Sequence, residues 1–338
     1  MIEITSQSTD NPRYQQITQW LAQCIGASFE LKKIPGDASF REYWRVESGA
    51  DQFILMDAPV DKENSTPFIQ IGEYLLKHNV PVPHIFHHDL TQGFVLLEDL
   101  GDVSLYAQLC TNENMLEFKG PIQCLHTLAS LPKPQWLPVY SAGLLKSELL
   151  MFDEWFLRRY AIEAGLFTQQ QVNEFSQALA TIYPLLVESA LNQPQVFVHK
   201  DFICMNIHID SHKNFGIGLI DFQDGLWGPV TYDLVSLLQD RYITWPKNTE
   251  QQLVEEFRQG LGAHLHCQVP AKNEFYRDYE WMGLQRNLRI LGVYARLALR
   301  DKKLNYLPLM PRFWGFCQYV VHQWDEFAEL RKFMQIQL

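Results

Sequence analysis

Asp201, Asn206 and Asp221 are the residues whose types and spacing could do chemistry. The first two stand in His199-Lys200-Asp201-Phe202-Ile203-Cys204-Met205-Asn206, an H-x-D-x-x-x-x-N pattern, and the third follows in Ile220-Asp221-Phe222-Gln223, fifteen residues past the asparagine. Phosphoryl transfer asks for such a set: a carboxylate facing the proton of an attacking hydroxyl, and further oxygen ligands for the Mg²⁺ that bridges the phosphates. A surface turn after a buried strand would account for one such match; two coupled patterns in this order weigh against it.

Other constellations carry weaker chemistry. Pro35-Gly36-Asp37-Ala38-Ser39-Phe40-Arg41 lies between two β-type runs, where backbone N–H groups can face phosphate, although a plain hairpin turn explains it too. His84, His87, His88 and Asp89 fall on one short strand and its turn, where alternation sends neighbours to opposite faces, and no second cluster completes a metal site. Glu154 and Trp155 suit a sugar pocket, a carboxylate for hydroxyls and a flat ring for a pyranose face, but core packing is the commoner fate of such a Trp. Arg286, Arg289, Arg296 and Arg300 recur at helical spacing over about 276–300, which places four guanidiniums on one face. A solvated face explains that stripe; alternatively Arg286, beside Gln285, reaches an acceptor and binds a carboxylate or sugar oxygens.

The elements that must position these residues change texture along the chain. Asp10-Asn11-Pro12 starts a helix in which Tyr14, Ile17, Leu21, Cys24 and Ile25 recur at helical spacing until Gly26. FELKKI (29–34), SFREYWRVE (39–47) and QFILMD (52–57) read as three antiparallel strands, Thr66-Pro67 opens a helix to about His78, and VPVPHIFHHD and GFVLLED add two strands. Beyond Gly101 the pattern is long and helical, broken by the loop 131–138 and a β-rich island at about 196–221. The expectation is an α+β chain of two lobes: residues 1–98 with a five-stranded sheet, a hinge at 99–103, and a larger mainly helical lobe over 104–338.

Composition bounds the partners. The chain has 338 residues, 47% hydrophobic and 20% charged, with a net charge of −11. Such a length suits two lobes, and such a composition a fully folded protein. The acidic balance speaks against nucleic-acid or anionic-membrane partners, so any phosphate ligand must be held locally. No apolar run approaches the roughly 20 residues that span a bilayer, and the opening MIEITSQSTDNPRY lacks the marks of a leader, so a cytoplasmic protein is expected. Six scattered cysteines form no C-x-x-C pair and read as reduced thiols.

With these motifs in this order, the sequence resembles the kinase-like aminoglycoside phosphotransferase family. The resemblance implies a bilobed protein-kinase-like fold, ATP and Mg²⁺ as cofactors, Asp201 as catalytic base, and Asn206 and Asp221 as Mg²⁺ ligands. Within IDFQDGLWGPVTYDL it implies that Asp233 is a structural carboxylate beneath the catalytic loop, which His199 helps to shape. It implies a nucleotide site made by Ser39, Phe40 and Arg41 at the phosphate end and by the hinge around Glu98 and Leu100 at the adenine end. One departure stands out: the third strand carries Met56 and Asp57 where kinases carry a phosphate-binding lysine. Arg41 or Arg45 could replace that charge, and Glu73 on the following helix lacks its expected partner.

GDASFREYWRV, FILMDAP, FDEWFL and QRNLRILGVYARLALRDKKLNYLP are similar to a narrower subfamily, the anomeric kinases of N-acetylmuramate and N-acetylglucosamine in bacterial cell-wall recycling. That resemblance, over about residues 29–325, implies transfer to the C1 hydroxyl of a free amino sugar. Alternatives are a kinase of another small alcohol, such as an aminoglycoside or choline, and a non-catalytic nucleotide-binding protein.

Overall fold

The computed structural model describes residues 11–35, 40–111, 118–263, 265 and 268–338. Its first helix, α1 (Pro12–Ile25), begins where Asn11 accepts a hydrogen bond from the Arg13 N–H and ends at Gly26, whose φ of 88° suits glycine. Strands β1 (Glu30–Ile34), β2 (Glu42–Ser48) and β3 (Asp51–Asp57) follow as an antiparallel meander, then α2 (Thr66–Lys77), β4 (Ile85–Asp89) and β5 (Phe94–Glu98). The sheet order is β1-β2-β3-β5-β4, with β5 antiparallel to both neighbours. Ile17, Trp20 and Leu21 of α1 cover one face, packing on Val46, Leu55, Phe94 and Leu96. The buried Asp57 ties α1 to the sheet through Arg13, 2.5 Å away, whose guanidinium also lies over the Phe94 ring.

Contacts divide the chain into two units, Met1–Val103 with His208–Gln223, and Ser104–Ile207 with Asp224–Leu338. The sequence assigns 208–223 to the later lobe, whereas its contacts join it to the first unit. The hairpin of β7 (Ile207–Ile209) and β8 (Ile217–Leu219) hydrogen-bonds from Ile209 N to Val103 O (2.8 Å) and from Leu219 N to Pro81 O (2.6 Å). Lys213 adds an ion pair to Glu98 at 2.5 Å.

The second unit is mainly helical: α3 (Leu105–Thr111), α4 (Lys119–Ser130), α5 (Ala142–Met151), a π-helical stretch Phe152–Ala161, α6 (Gln169–Asn192), α7 (Tyr232–Leu238), α8 (Lys247–Gly260), α9 (Lys272–Leu299) and α10 (Met310–Gln323). One two-stranded ladder, β6 (Gln195–Val198) with β9 (Leu226–Pro229), runs through it. Helix α9 is buried on nearly every side, as expected of a helix at the centre of a core. Its Leu284, Leu288, Leu291 and Ala295 share a cluster with Phe152, Phe156, Phe175 and Trp314. The α+β class and the five-stranded antiparallel sheet agree with the sequence reading. Among the described residues no helix is long and apolar enough to cross a membrane, and Cys24, Cys110, Cys124, Cys204 and Cys317 are free thiols.

Candidate active site

Strand β6 delivers its last residue, Val198, straight into the loop 199–206. His199 is wholly buried and meets Phe202 edge to face, while Lys200 adopts a left-handed φ of 77°, a conformation that costs a non-glycine residue energy and persists only where its surroundings impose it. What imposes it is Asp233 at the start of α7: its carboxylate accepts the backbone N–H of His199 at 2.6 Å and of Lys200 at 3.0 Å. Burial pushes the Asp233 carboxyl up to about 7, against the pull of those two N–H groups. A second buried carboxylate, Asp240, accepts the N–H of Cys204 at 3.1 Å and of Tyr242 at 2.8 Å. Asn206 closes the loop, its amide nitrogen donating to the Asp201 carbonyl at 3.0 Å. Asp201 thus sits, half-buried, on a backbone held by buried carboxylates on both sides.

Beside this loop lies a charged cluster of the second unit. Glu148 of α5 is 8% exposed and accepts the Tyr140 hydroxyl. It also pairs with Lys200 at 3.2 Å and with Arg289 of α9 at 3.3 Å. Burial works against the Arg289 charge, yet Tyr232, Glu148, Tyr140 and Asp201 outweigh it and push its pKa up. Arg286, one turn earlier, is 5% exposed, so it lies inside the helical core. Arg300 leaves the core and pairs with Asp301 at 2.7 Å. Glu154 and Trp155 both engage Arg159, through an ion pair at 3.1 Å and a guanidinium 4.0 Å above the indole ring.

In the first unit Asp221 also takes a left-handed φ, 66°, and its carboxylate accepts from Gln223 at 2.7 Å. Phe222 locks the segment: its buried ring lies 4.7 Å from that of Phe68 on α2. A Cβ on Gly72, one turn further along α2, would come within 3.2 Å of it, so glycine there permits the close approach. Arg41 pairs with Glu63 at 3.4 Å, and the hydroxyl of the half-buried Tyr43, pushed up chiefly by desolvation, also feels Arg41, Asp221 and Glu63. Arg41 and Asp221 therefore share one neighbourhood, with Glu63 as the acid that the sequence reading missed. Arg45 points elsewhere, bonded to Asp99 at 2.6 Å and to Asp102 at 2.7 Å, so it does not replace the lysine absent at the buried Met56. Glu73 is exposed.

The remaining nucleotide-side candidates are spread differently. Phe40 is exposed next to Ser39, which lies outside the described residues. Glu98 uses its carboxylate within the unit, accepting from His84 N at 2.9 Å and from Lys213. Leu100 is buried, and its methyl groups would lie 2.7 Å from a Cβ on Gly218. As for a metal, no group of three His, Cys, Asp or Glu is gathered among the described residues. Mg²⁺ keeps waters and phosphate oxygens and takes only one or two protein oxygens. The Asp221 carboxylate in the first unit offers oxygens of that hard type, as does, in the second unit, the Asn206 amide, whose nitrogen is turned to a carbonyl.

The profile of the phosphotransferase enzyme family matches residues 30–276. The chain is 35% identical over 334 residues to N-acetylmuramate/N-acetylglucosamine kinase of Pseudomonas putida, covering 94% of each chain. Among solved structures it is similar to the ethanolamine kinase of Plasmodium vivax, with a TM-score of 0.64 and 14% identity over 90% of this chain and 87% of that one. It is also similar to an ADP-bound aminoglycoside phosphotransferase, with a TM-score of 0.59 and 14% identity over 91% and 97%. At such identities these two structures speak for the kinase-like fold.

Proposed function

The chain belongs to the phosphotransferase enzyme family, and on that premise we propose that it transfers the γ-phosphate of ATP to the anomeric C1 hydroxyl of a free amino sugar, N-acetylmuramate or N-acetylglucosamine. The observation that carries the reading is the 35% identity over 94% of both chains with a kinase named for these two sugars. Asp201 is the base. The anomeric hydroxyl is more acidic than an ordinary alcohol, so it asks less of the base that takes its proton as its oxygen bonds to the γ-phosphorus and the bond to ADP breaks. A fixed backbone matters here, because phosphoryl transfer is mostly positioning and charge stabilisation. The bonds from Asp233 and Asp240 supply that fixity.

Asn206 and Asp221 are the oxygen donors for Mg²⁺, which when bound offsets charge on the phosphates. Arg41, anchored by Glu63, adds positive charge at the phosphate end of the nucleotide, where Met56 cannot. Phe40 borders the same loop, and the strand end at Glu98 with Leu100 offers backbone groups and an apolar wall to adenine. A soluble cytoplasmic enzyme acting on a small sugar follows from this reading. The test is ATP consumption by the purified protein against a panel of free amino sugars, hexoses, choline and aminoglycosides. Turnover with the two N-acetylated amino sugars and little with the rest supports the proposal; preference for choline or an aminoglycoside rejects it.

A further inference from the structure

The four arginines of α9 share a spacing but not an environment. Arg286 is enclosed and Arg300 faces solvent against Asp301. Arg289 lies between these extremes, its side chain 27% exposed and its Nε 3.3 Å from Glu148. Its terminal nitrogens make no hydrogen bond among the described residues, so a planar pair of donors remains for a ligand. Glu148 meanwhile serves two cations, because Lys200 Nζ also sits 3.2 Å from it, and the Tyr140 hydroxyl donates to it as well. One carboxylate cannot neutralise two cations, and Lys200 directly precedes Asp201 in the loop. Two cations, Lys200 and Arg289, therefore adjoin the base, whose charge Arg289 feels, in a chain whose net charge is −11.

We propose that Arg289, oriented by Glu148, is a specificity-determining residue that receives the carboxylate of an anionic amino-sugar acceptor and so sets its C1 hydroxyl against Asp201. This rests on the amino-sugar reading above. The two sugars of that reading differ in this respect: N-acetylmuramate carries a lactyl carboxylate and N-acetylglucosamine carries none. A guanidinium fork matches a carboxylate in shape and charge, whereas a neutral hydroxyl gains much less from it. Glu148 holds the fork in place, and Arg286 is too enclosed to share the task.

The test compares kcat/KM for both sugars in the wild type, Arg289→Ala, Arg289→Lys and Arg300→Ala. Arg289→Ala should lower kcat/KM for N-acetylmuramate by about tenfold or more, chiefly through KM. It should leave N-acetylglucosamine within about twofold, as expected where no charged hydrogen bond is lost, and the KM for ATP unchanged. Arg289→Lys keeps the ion pair with Glu148 but loses the fork, so it should fall between wild type and alanine for N-acetylmuramate alone, and it serves if the alanine variant does not fold. Arg300→Ala should match the wild type with both sugars. Equal losses for both sugars, or none, overturn the proposal while leaving the amino-sugar reading intact. A wild type that turns over neither sugar overturns that reading, and this proposal falls with it.

Discussion

The loop 199–206 and the segment 220–223 each present a carboxylate in or beside a left-handed backbone, yet they are held by opposite means. Around Asp201 the backbone N–H groups of His199, Lys200 and Cys204 all end on the buried carboxylates Asp233 and Asp240. Around Asp221 the anchor is apolar: Phe222 against Phe68, with Gly72 making room. The difference suits the two tasks proposed for them. A base that takes a proton in line must stay within a fraction of an ångström of its place, which directed hydrogen bonds secure. A metal ligand is drawn in by its cation once that is bound, and at Asp221 packing anchors the backbone that carries it.

Breaking the polar side of the comparison should have the largest effect. Asp201→Asn keeps the loop and removes the base, so kcat should fall by about a hundredfold to ten-thousandfold with ATP affinity nearly unchanged, measured by turnover and by nucleotide calorimetry. Asp221→Ala on the other side should instead raise the Mg²⁺ requirement and weaken MgATP binding, by at least the about 10- to 100-fold that loss of an outer metal-site partner costs. If the two variants share one phenotype, the division of labour is wrong.

Smaller effects sharpen the contrast. Arg41→Ala should raise the KM for ATP by about five- to tenfold. Arg45→Ala should leave that KM alone and lower the melting temperature, since Asp99 loses its partner. A last effect concerns pH and stability rather than turnover. Asp233 keeps its proton in the folded state up to about 7, whereas an unfolded aspartate releases it near its ordinary value. The native state then binds more protons between the two, so this contribution to stability is full at low pH and is lost as pH rises toward 7. Asp233→Asn should flatten that slope in melting temperatures taken from pH 4 to 8; an unchanged slope assigns it to other groups.

Much of this was legible in the residues. The five strands of the sheet and the helix between its third and fourth strands stand within a few residues of their expected bounds, because their alternation and turn residues are strong local signals. Strand β9 was not, since Leu226-Trp227-Gly228-Pro229 is short and reads as a turn until it pairs with β6. The π-helical stretch 152–161 escaped because its buried Phe152, Phe156, Leu157 and Ala161 fall at four-residue spacings that an α-helix also satisfies. The loop 199–206 was readable as a unit because the spacing of its residues is local. Glu63, Asp240 and Glu148 were not, because each acts on a partner far along the chain, and no spacing announces such a meeting. The arginine stripe shows the same limit: periodicity put four guanidiniums on one face, but only packing could separate the enclosed Arg286 from the half-exposed Arg289.

Transfer to an anomeric hydroxyl leaves the phosphate on C1 of the product, and its position there can be read directly. The purified protein should be incubated with ATP, Mg²⁺ and N-acetylmuramate or N-acetylglucosamine, and the product examined by phosphorus–proton correlated NMR. The account predicts a phosphorus signal coupled to the C1 proton, formed with the wild type and lost with Asp201→Asn. A phosphate on any other oxygen, or a product formed equally well by Asp201→Asn, would contradict it.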